Sequence, residues 1–163
     1  MASVDKLRRR WPVVLGVMIV AAVGINLLDT SYNSLQTASD AAAFHRTLTS
    51  EARALGATGC DIVFAVSYGL LGLIALRALN VPNRLARPAA VLVVAASLFD
   101  ELENLALVRN IVAQRTLTDG WITVMRAPGT LKWVGSPVFF ALLIALAWRA
   151  THPPRTRQPR TPA

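Results

Sequence analysis

The sequence predicts an all-α fold, a polytopic membrane four-helix bundle with both termini cytoplasmic. Only 16% of its 163 residues are charged and 54% are apolar, whereas soluble proteins carry about 25% charged residues. The apolar residues form four long blocks, and a block of about 18 or more apolar residues with few charges is typical of a membrane-spanning helix. A chain of this size holds one core, so we expect residues 1–150 to form a single domain.

The four predicted spans occupy residues 11–28, 62–79, 88–108 and 131–148. A short segment rich in Pro, Asn and Arg, residues 80–87, separates the second span from the third. Such a short connection requires the two helices to be antiparallel. The other two connections are longer, and we expect both on the opposite side of the membrane.

The distribution of basic residues indicates the orientation of the chain. Lys and Arg number 17 against 9 Asp and Glu, and 11 of the 17 flank the N-terminus, the short turn and the C-terminal tail. Because cytoplasmic segments carry an excess of Lys and Arg, we expect an inner-membrane location with both termini inside. The Pro/Arg/Thr-rich segment 151–163 predicts a disordered basic tail beside anionic membrane lipids. This topology explains the basic charge, so we do not expect nucleic acid as a partner.

The first outer loop contains signals for a short helix of its own. Thr37 followed by Asp40 imitates a capping box, and Phe44, Leu48 and Leu55 share one helix face. We predict a short interfacial helix that covers the bundle or acts as a lid over a site below it.

The second outer loop contains a turn signal, Asp119-Gly120. Four residues that follow are expected at the membrane interface: Trp121, Ile122, Val124 and Met125.

Charged and amide side chains gather towards the outer ends of the predicted spans. Eight of the nine carboxylates fall in the outer loops or these outer ends. Because an antiparallel bundle brings the outer ends to one level, we predict one polar pocket there. Its predicted lining is Asp29, Asp61, Asp100, Glu103, Asn104 and Lys132.

The third span carries the densest part of this cluster below the membrane surface. Counted from Pro88 at 1.5 Å per residue, Asp100 lies about 18 Å and Asn104 about 24 Å along a core about 30 Å thick. Asp100, Glu103 and Asn104 share a helix face, and Glu101 points about 100° away from Asp100. A carboxylate at this depth costs a few kcal/mol unless it faces the bundle interior, water or a partner.

Three interpretations of the cluster remain open at this point. Lys132, with Arg109 or Arg126, neutralises the acids in a purely structural network. Alternatively, the cluster is a ligand or catalytic pocket, in which carboxylates in unlike environments separate into proton donor and acceptor. Ion or proton translocation is the third, although Ser67 and Ser97 are the main polar residues of the inner halves.

The leading hypothesis is an outward-facing pocket for a small hydrophobic or amphiphilic, lipid-like ligand. An enzyme of this kind would carry out proton transfer, such as isomerisation of a lipid-like substrate. The alternative is a non-catalytic accessory or assembly protein whose buried carboxylate-Lys network is structural. We expect no cofactor and no metal site, because Cys60 is the single cysteine and no Cys/His ligand spacing occurs. Membrane lipids are the expected partners, and the sequence is compatible with a homo-oligomer.

One motif at the start of the second span resembles a known family. Cys60 to Phe64 (CDIVF) resembles the CELVF opening of the second span in EXPERA-domain membrane proteins of the sigma-2 receptor type. Arg87 to Ala89 resembles the basic-Thr-Pro-Ala entry to their third span, and Asp29 matches an acid that ends their first.

The resemblance to EXPERA-domain proteins extends over most of the chain. It implies a four-span bundle around a cavity for a lipid-like ligand, with Asp29 and Asp61 as the acidic pair beside that ligand. The family includes sterol isomerases, which move a double bond by proton transfer. The segment from Asp100 to Asn104 does not map onto the family's pattern.

Overall fold

The computed structural model describes residues 2–151, and every regular element in that range is a helix, which confirms the all-α prediction. The predicted disordered tail, 151–163, lies outside the described residues except for Thr151, the last residue of the last helix. The elements in chain order are α1 (Ala2–Leu28), α2 (Tyr32–Gln36), α3 (Ala41–Thr47), α4 (Glu51–Ala78), α5 (Asn83–Val112), a 3-10 turn (Gln114–Thr116) and α6 (Asp119–Thr151).

Three stretches within residues 2–151 are long and apolar enough to cross a membrane: Arg10–Leu28, Glu51–Ala78 and Asp119–Ala145. They correspond to the first, second and fourth predicted spans. The third predicted span lies in α5, which has 30 residues. Six charged residues make α5 less apolar than the other long helices: Arg84, Arg87, Asp100, Glu101, Glu103 and Arg109.

The long helices pack in chain order, α1 against α4, α4 against α5, and α5 against α6, and α4 also contacts α6. Small residues allow the close approach of α5 and α6. A Cβ atom on Gly135 would overlap the backbone oxygen of Leu92. Since backbone cannot move aside as a side chain can, only glycine fits at this crossing.

Two separate apolar clusters stabilise the bundle, one towards each end. The cluster near the α4–α5 turn includes Leu71, Ala75, Val93, Ala96 and Phe139. The cluster at the opposite end packs against the loop between α1 and α4 and includes Tyr32, Phe44, Leu107, Ile122 and Met125. Along α4, α5 and α6, the predicted polar residues fall between the two clusters.

Helix α4 begins at Glu51, eleven residues before the predicted start of the second span. The Ser50 side chain accepts a hydrogen bond from the Arg53 N–H, and Glu51 stands in the first turn. A hydroxyl cap followed by an acidic residue is a favourable helix start. At its N-terminal end, α4 therefore extends beyond the predicted second span.

The prediction of a turn at Asp119-Gly120 is wrong, because both residues stand in the first turn of α6. The Asp119 carboxylate accepts a hydrogen bond from the Ala41 N–H at 2.9 Å, and so ties the start of α6 to the start of α3. Ile122 and Met125 are fully buried in the apolar cluster under the first outer loop. Helix formation turns these two residues into the bundle, whereas Trp121 and Val124, which were predicted at the membrane interface with them, are exposed.

The segment between α1 and α4, which was predicted as the first outer loop, contains two short helices, α2 and α3. The residue that caps α3 differs from the predicted one. Asp40, and not Thr37, is the N-cap of α3, because its side chain accepts a hydrogen bond from the Ala43 N–H at 2.7 Å. That bond, together with the Ser39 hydroxyl, lowers the pKa of Asp40. Phe44 is fully buried, whereas Leu55 belongs to α4 and is exposed.

Candidate functional site

Five of the six predicted site residues meet in one buried layer between the two apolar clusters. We call these five residues the polar layer: Asp61 of α4, Asp100, Glu103 and Asn104 of α5, and Lys132 of α6. The exposed fraction is 7% for Asp61, 3% for Asp100 and 4% for Glu103, and Asn104 is completely buried. The face of α5 that carries the last three therefore points into the bundle, as their spacing predicted.

Lys132 binds two carboxylates of α5 at once. Its Nζ atom lies 2.7 Å from Asp100 Oδ1 and 2.8 Å from Glu103 Oε2. The backbone of α6 comes close to this pair at Gly129, where an added Cβ would stand 2.6 Å from Glu103 Oε1. Glycine at this position therefore leaves the space that the Glu103 carboxylate occupies.

Arg109 forms no ion pair with any of the three acids of the layer. Its guanidinium carbon lies 3.7 Å from the centre of the Trp121 ring, where it forms a cation–π contact between α5 and α6. Lys132 is therefore the basic residue that pairs with the acids of α5 in the described part of the chain.

Asp61 has neutral partners from α2 rather than a cation. The Tyr32 hydroxyl lies 3.1 Å from Asp61 Oδ2 and 3.0 Å from Asn104 Oδ1, so its one proton is donated to either acceptor. The Gln36 amide donates to the same Asp61 oxygen at 3.1 Å. Burial and the neighbouring Asp61 raise the pKa of Tyr32, which keeps the hydroxyl protonated as a donor.

The sequence analysis missed Tyr32 and Gln36. Both lie in a five-residue helix within a loop, and no spacing in the sequence indicates which loop residue reaches a span. Their i, i+4 separation was the available signal, since it places both side chains on one helix face.

Asp29, the sixth predicted residue, lies apart from the other five. Its Oδ1 atom accepts hydrogen bonds from the Ser31 N–H at 2.8 Å and the Ser31 hydroxyl at 2.6 Å. The residue follows the end of α1 and is 6% exposed. These contacts give Asp29 the local role of shaping the turn between α1 and α2.

A cavity of about 300 Å³ opens beside the polar layer. Asp61, Asp100 and Lys132 form its polar end. The aromatic part of the wall consists of Phe64, Tyr68, Trp133, Phe139 and Phe140. The rest of the lining comes from Ser136 of α6 and from helices α1 and α2, which contribute Ala22, Ile25, Asn26, Asn33 and Gln36. Asp29 is not part of this lining.

Glu103 borders a second cavity, of about 410 Å³, which shares four lining residues with the first: Asn33, Gln36, Lys132 and Trp133. Lys132 therefore stands between the two spaces. Arg126 and Thr130 of α6 add polar groups to the second cavity.

Within residues 2–151, no group of three or more His, Cys, Asp and Glu side chains is arranged to hold a metal ion. The chemistry that the layer does offer is hydrogen bonding and charge. Three carboxyl groups, those of Asp61, Asp100 and Glu103, surround one ammonium group. Two of them are ion-paired, and the third faces the cavity with neutral donors behind it.

Comparison of the chain with protein-family models, characterised proteins and solved structures finds no match. The resemblance of residues 60–64 and 87–89 to EXPERA-domain proteins therefore stays a prediction.

Proposed function

We propose that this protein binds a small amphiphilic, lipid-like molecule in the cavity beside the polar layer. The observation that carries the proposal is the division of the cavity into an aromatic wall and a charged end. Apolar pockets with a few converging polar groups are typical of small-molecule sites. An apolar body of the ligand would lie against Phe64, Phe139 and Phe140, and its polar end would reach Asp61.

Asp61 is the side chain on which ligand specificity depends in this proposal. Asp100 and Glu103 both pair with Lys132, so their charges are already compensated. Asp61 lines the cavity and accepts hydrogen bonds only from neutral groups in the described part of the chain. A hydrogen-bond donor on a bound molecule would therefore stabilise the Asp61 carboxylate more than the other two.

The proposal includes an inner-membrane topology with four spans, in which α5 is the third span and both termini are cytoplasmic. The burial of Asp100, Glu103 and Asn104 supports this reading, because the polar face of α5 points towards α4 and α6. The opposite face of α5 carries apolar side chains suited to lipid, including Leu98, Leu102 and Leu105, which are half exposed or more. The cavity then opens towards the outer half of the membrane.

Proton transfer is the reaction class that this site would support in an enzyme. A carboxyl group in a low-dielectric cavity can act as proton donor or acceptor. Asp61 is the residue placed for that step, since it borders the cavity directly. Binding alone does not require the step.

A structural role is the second candidate function, and the bidentate contact of Lys132 favours it. A cation that bridges two carboxylates of a neighbouring helix fixes the register of α5 against α6. An accessory or assembly protein would need this network without any ligand. The two candidates differ over Asp61, which the ion pairs do not include.

Mass spectrometry of lipids and metabolites retained by the detergent-purified protein tests the proposal. Wild type is compared with Asp61→Asn, which keeps the size of the side chain, and with Glu101→Gln as the matched control. Glu101 is the neighbour of Asp100 on α5 but lies outside the lining of either cavity. We expect one retained molecule in wild type and in Glu101→Gln, and its loss from folded Asp61→Asn. Retention by all three proteins, or by none, would contradict the proposal.

A further inference from the structure

A third cavity, of about 550 Å³, lies at the other end of the bundle, around the turn between α4 and α5. Arg77 borders it in the last turn of α4. Arg77 follows Asp61 by sixteen positions, which is about 24 Å along a helix. This cavity is therefore separate from the site proposed above.

The turn at this end has a defined backbone structure. Asn80 has a φ angle of 52°, in the left-handed region that Asn tolerates better than most residues. The Asn80 N–H donates to the Arg77 carbonyl and the Val81 N–H donates to the Leu76 carbonyl, both at 3.2 Å. This pair of bonds is a Schellman motif. It fixes the direction in which the chain leaves α4 and enters α5.

The cavity has an apolar floor and a basic rim. Leu73, Leu76 and Ala90 contribute to the floor, and Arg77 and Arg87 stand at the rim on two different helices. Both arginines are exposed. All ion pairs in the described part of the chain involve Lys132, so neither arginine has a carboxylate partner there.

We propose that this cavity binds the headgroup of an anionic phospholipid. Guanidinium groups present several donors in a planar fork that matches the oxygens of a phosphate. These two guanidinium groups from neighbouring helices, neither paired with a carboxylate in the described part of the chain, therefore suit one phosphate between them. The Asn83 amide, which also lines the cavity, is placed to bind a hydroxyl or ester oxygen of the same headgroup.

The occupant is a lipid rather than a soluble phosphate because the floor is apolar. Leu73 and Leu76 belong to Glu51–Ala78, a helix apolar enough to cross a membrane. An acyl chain beneath a phosphate held by Arg77 and Arg87 would run along this helix. A soluble phosphate would leave the apolar floor in contact with water.

The same turn provides a control residue. Arg84 is exposed and stands in the first turns of α5, but it does not line the cavity. Substitution of Arg84 by Gln removes the same charge from the same end of the bundle. General attraction of a basic surface to anionic lipid would weaken similarly with each arginine, whereas a site depends on position.

The test measures binding of phosphatidylglycerol to the full-length protein by native mass spectrometry, with phosphatidylcholine as the zwitterionic comparison. We expect Arg77→Gln and Arg87→Gln each to weaken phosphatidylglycerol binding about fivefold or more, which corresponds to about 1 kcal/mol per basic residue. Arg84→Gln should stay within about twofold of wild type. Circular dichroism of each variant verifies that it is folded.

Three results would overturn the proposal. Equal weakening by all three substitutions would indicate diffuse surface charge. Unchanged phosphatidylglycerol binding in Arg77→Gln and Arg87→Gln would show that these arginines do not hold the headgroup. Phosphatidylcholine binding as strong as phosphatidylglycerol binding would show that the site does not select an anionic lipid. Displacement of the lipid by soluble glycerol phosphate would show that the headgroup alone is bound and that the apolar floor has no role.

Discussion

The Tyr32 hydroxyl oxygen lies 3.1 Å from Asp61 Oδ2, and this contact joins the segment between α1 and α4 to α4 itself across 29 positions of the chain. Gln36, one turn further along α2, donates to the same carboxylate oxygen and lines the cavity. Helix α2 therefore closes one edge of the candidate site. The predicted lid or cover at this side of the bundle includes α2, and not only the helix that follows Asp40.

Removal of the Tyr32 hydroxyl should destabilise the packing of α2 against α4 and α5. Tyr32→Phe leaves Asp61 and Asn104 without this buried donor, and we expect a loss of about 1–3 kcal/mol in the free energy of unfolding. Chemical unfolding in detergent micelles measures the loss. Ser34→Ala, an exposed change on the same short helix, should have a smaller effect. Equal stability of Tyr32→Phe and wild type would show that the contact is not formed.

Loss of the Lys132 ammonium should be more damaging than loss of an exposed charge on the same helix. Lys132→Met leaves Asp100 and Glu103 buried without their cation, and we expect a cost of about 3–5 kcal/mol. Arg126→Met removes one positive charge from an exposed position of α6 and serves as the control in the same unfolding experiment.

A triple variant separates ion pairing from general packing. Replacement of Asp100 by Asn, Glu103 by Gln and Lys132 by Met together leaves no uncompensated charge among these three side chains. We expect it to be more stable than Lys132→Met alone. A triple variant as unstable as the sum of its parts would contradict the assigned network.

A side chain at Gly129 should be destabilising, because the missing Cβ leaves room for the buried, ion-paired Glu103 carboxylate. Gly129→Ala places a carbon 2.6 Å from Glu103 Oε1, and we expect a loss of about 1–3 kcal/mol from the shifted carboxylate. Gly16→Ala is the matched control, since no atom lies within 4 Å of the added Cβ. That change should be neutral or stabilise α1 by about 0.5–1 kcal/mol. Similar effects of both changes would refute the close approach.

The cap of α3 predicts a pH dependence of local stability. The pKa of Asp40 is lowered in the folded protein, chiefly by the hydrogen bond from the Ala43 N–H. Its stabilisation is therefore complete above the unfolded-state value of about 4 and is lost as the pH falls through the lower folded-state pKa. Asp40→Asn caps without a titrating charge. Amide hydrogen exchange of Ala43 should lose protection on acidification in wild type but not in this variant, and parallel profiles would contradict the assignment.

The long helices and the buried face of α5 were predictable from the sequence because both depend on local periodicity. Helix α1 ends at Leu28, as its apolar block predicts, and the i, i+3, i+4 spacing placed Asp100, Glu103 and Asn104 on one buried face. The pairing of Lys132 with the acids of α5 was one of the interpretations considered. These features required no knowledge of contacts between distant segments.

The two long connections, between α1 and α4 and between α5 and α6, were predicted poorly because contacts with distant segments determine their structure. Asp119-Gly120 has the composition of a turn, yet α6 begins there. The Asp119 carboxylate binds the Ala41 N–H, and Ile122 packs beneath the loop between α1 and α4. The contact between Tyr32 and Asp61 depends on the packing of α1 against α4, which the sequence does not show. Asp29 was assigned to the pocket from its position at a span end, but its side chain bonds locally to Ser31.

The most direct test of the central claim fills the cavity from α1. Ala22 lines the cavity, whereas Val23 beside it is 51% exposed and does not. Ala22→Phe and Val23→Phe therefore place the same side chain inside and outside the proposed site. Mass spectrometry of the purified proteins should detect one amphiphilic molecule in wild type and Val23→Phe and none in folded Ala22→Phe. Retention of the molecule by Ala22→Phe, or its absence from wild type, would contradict the account.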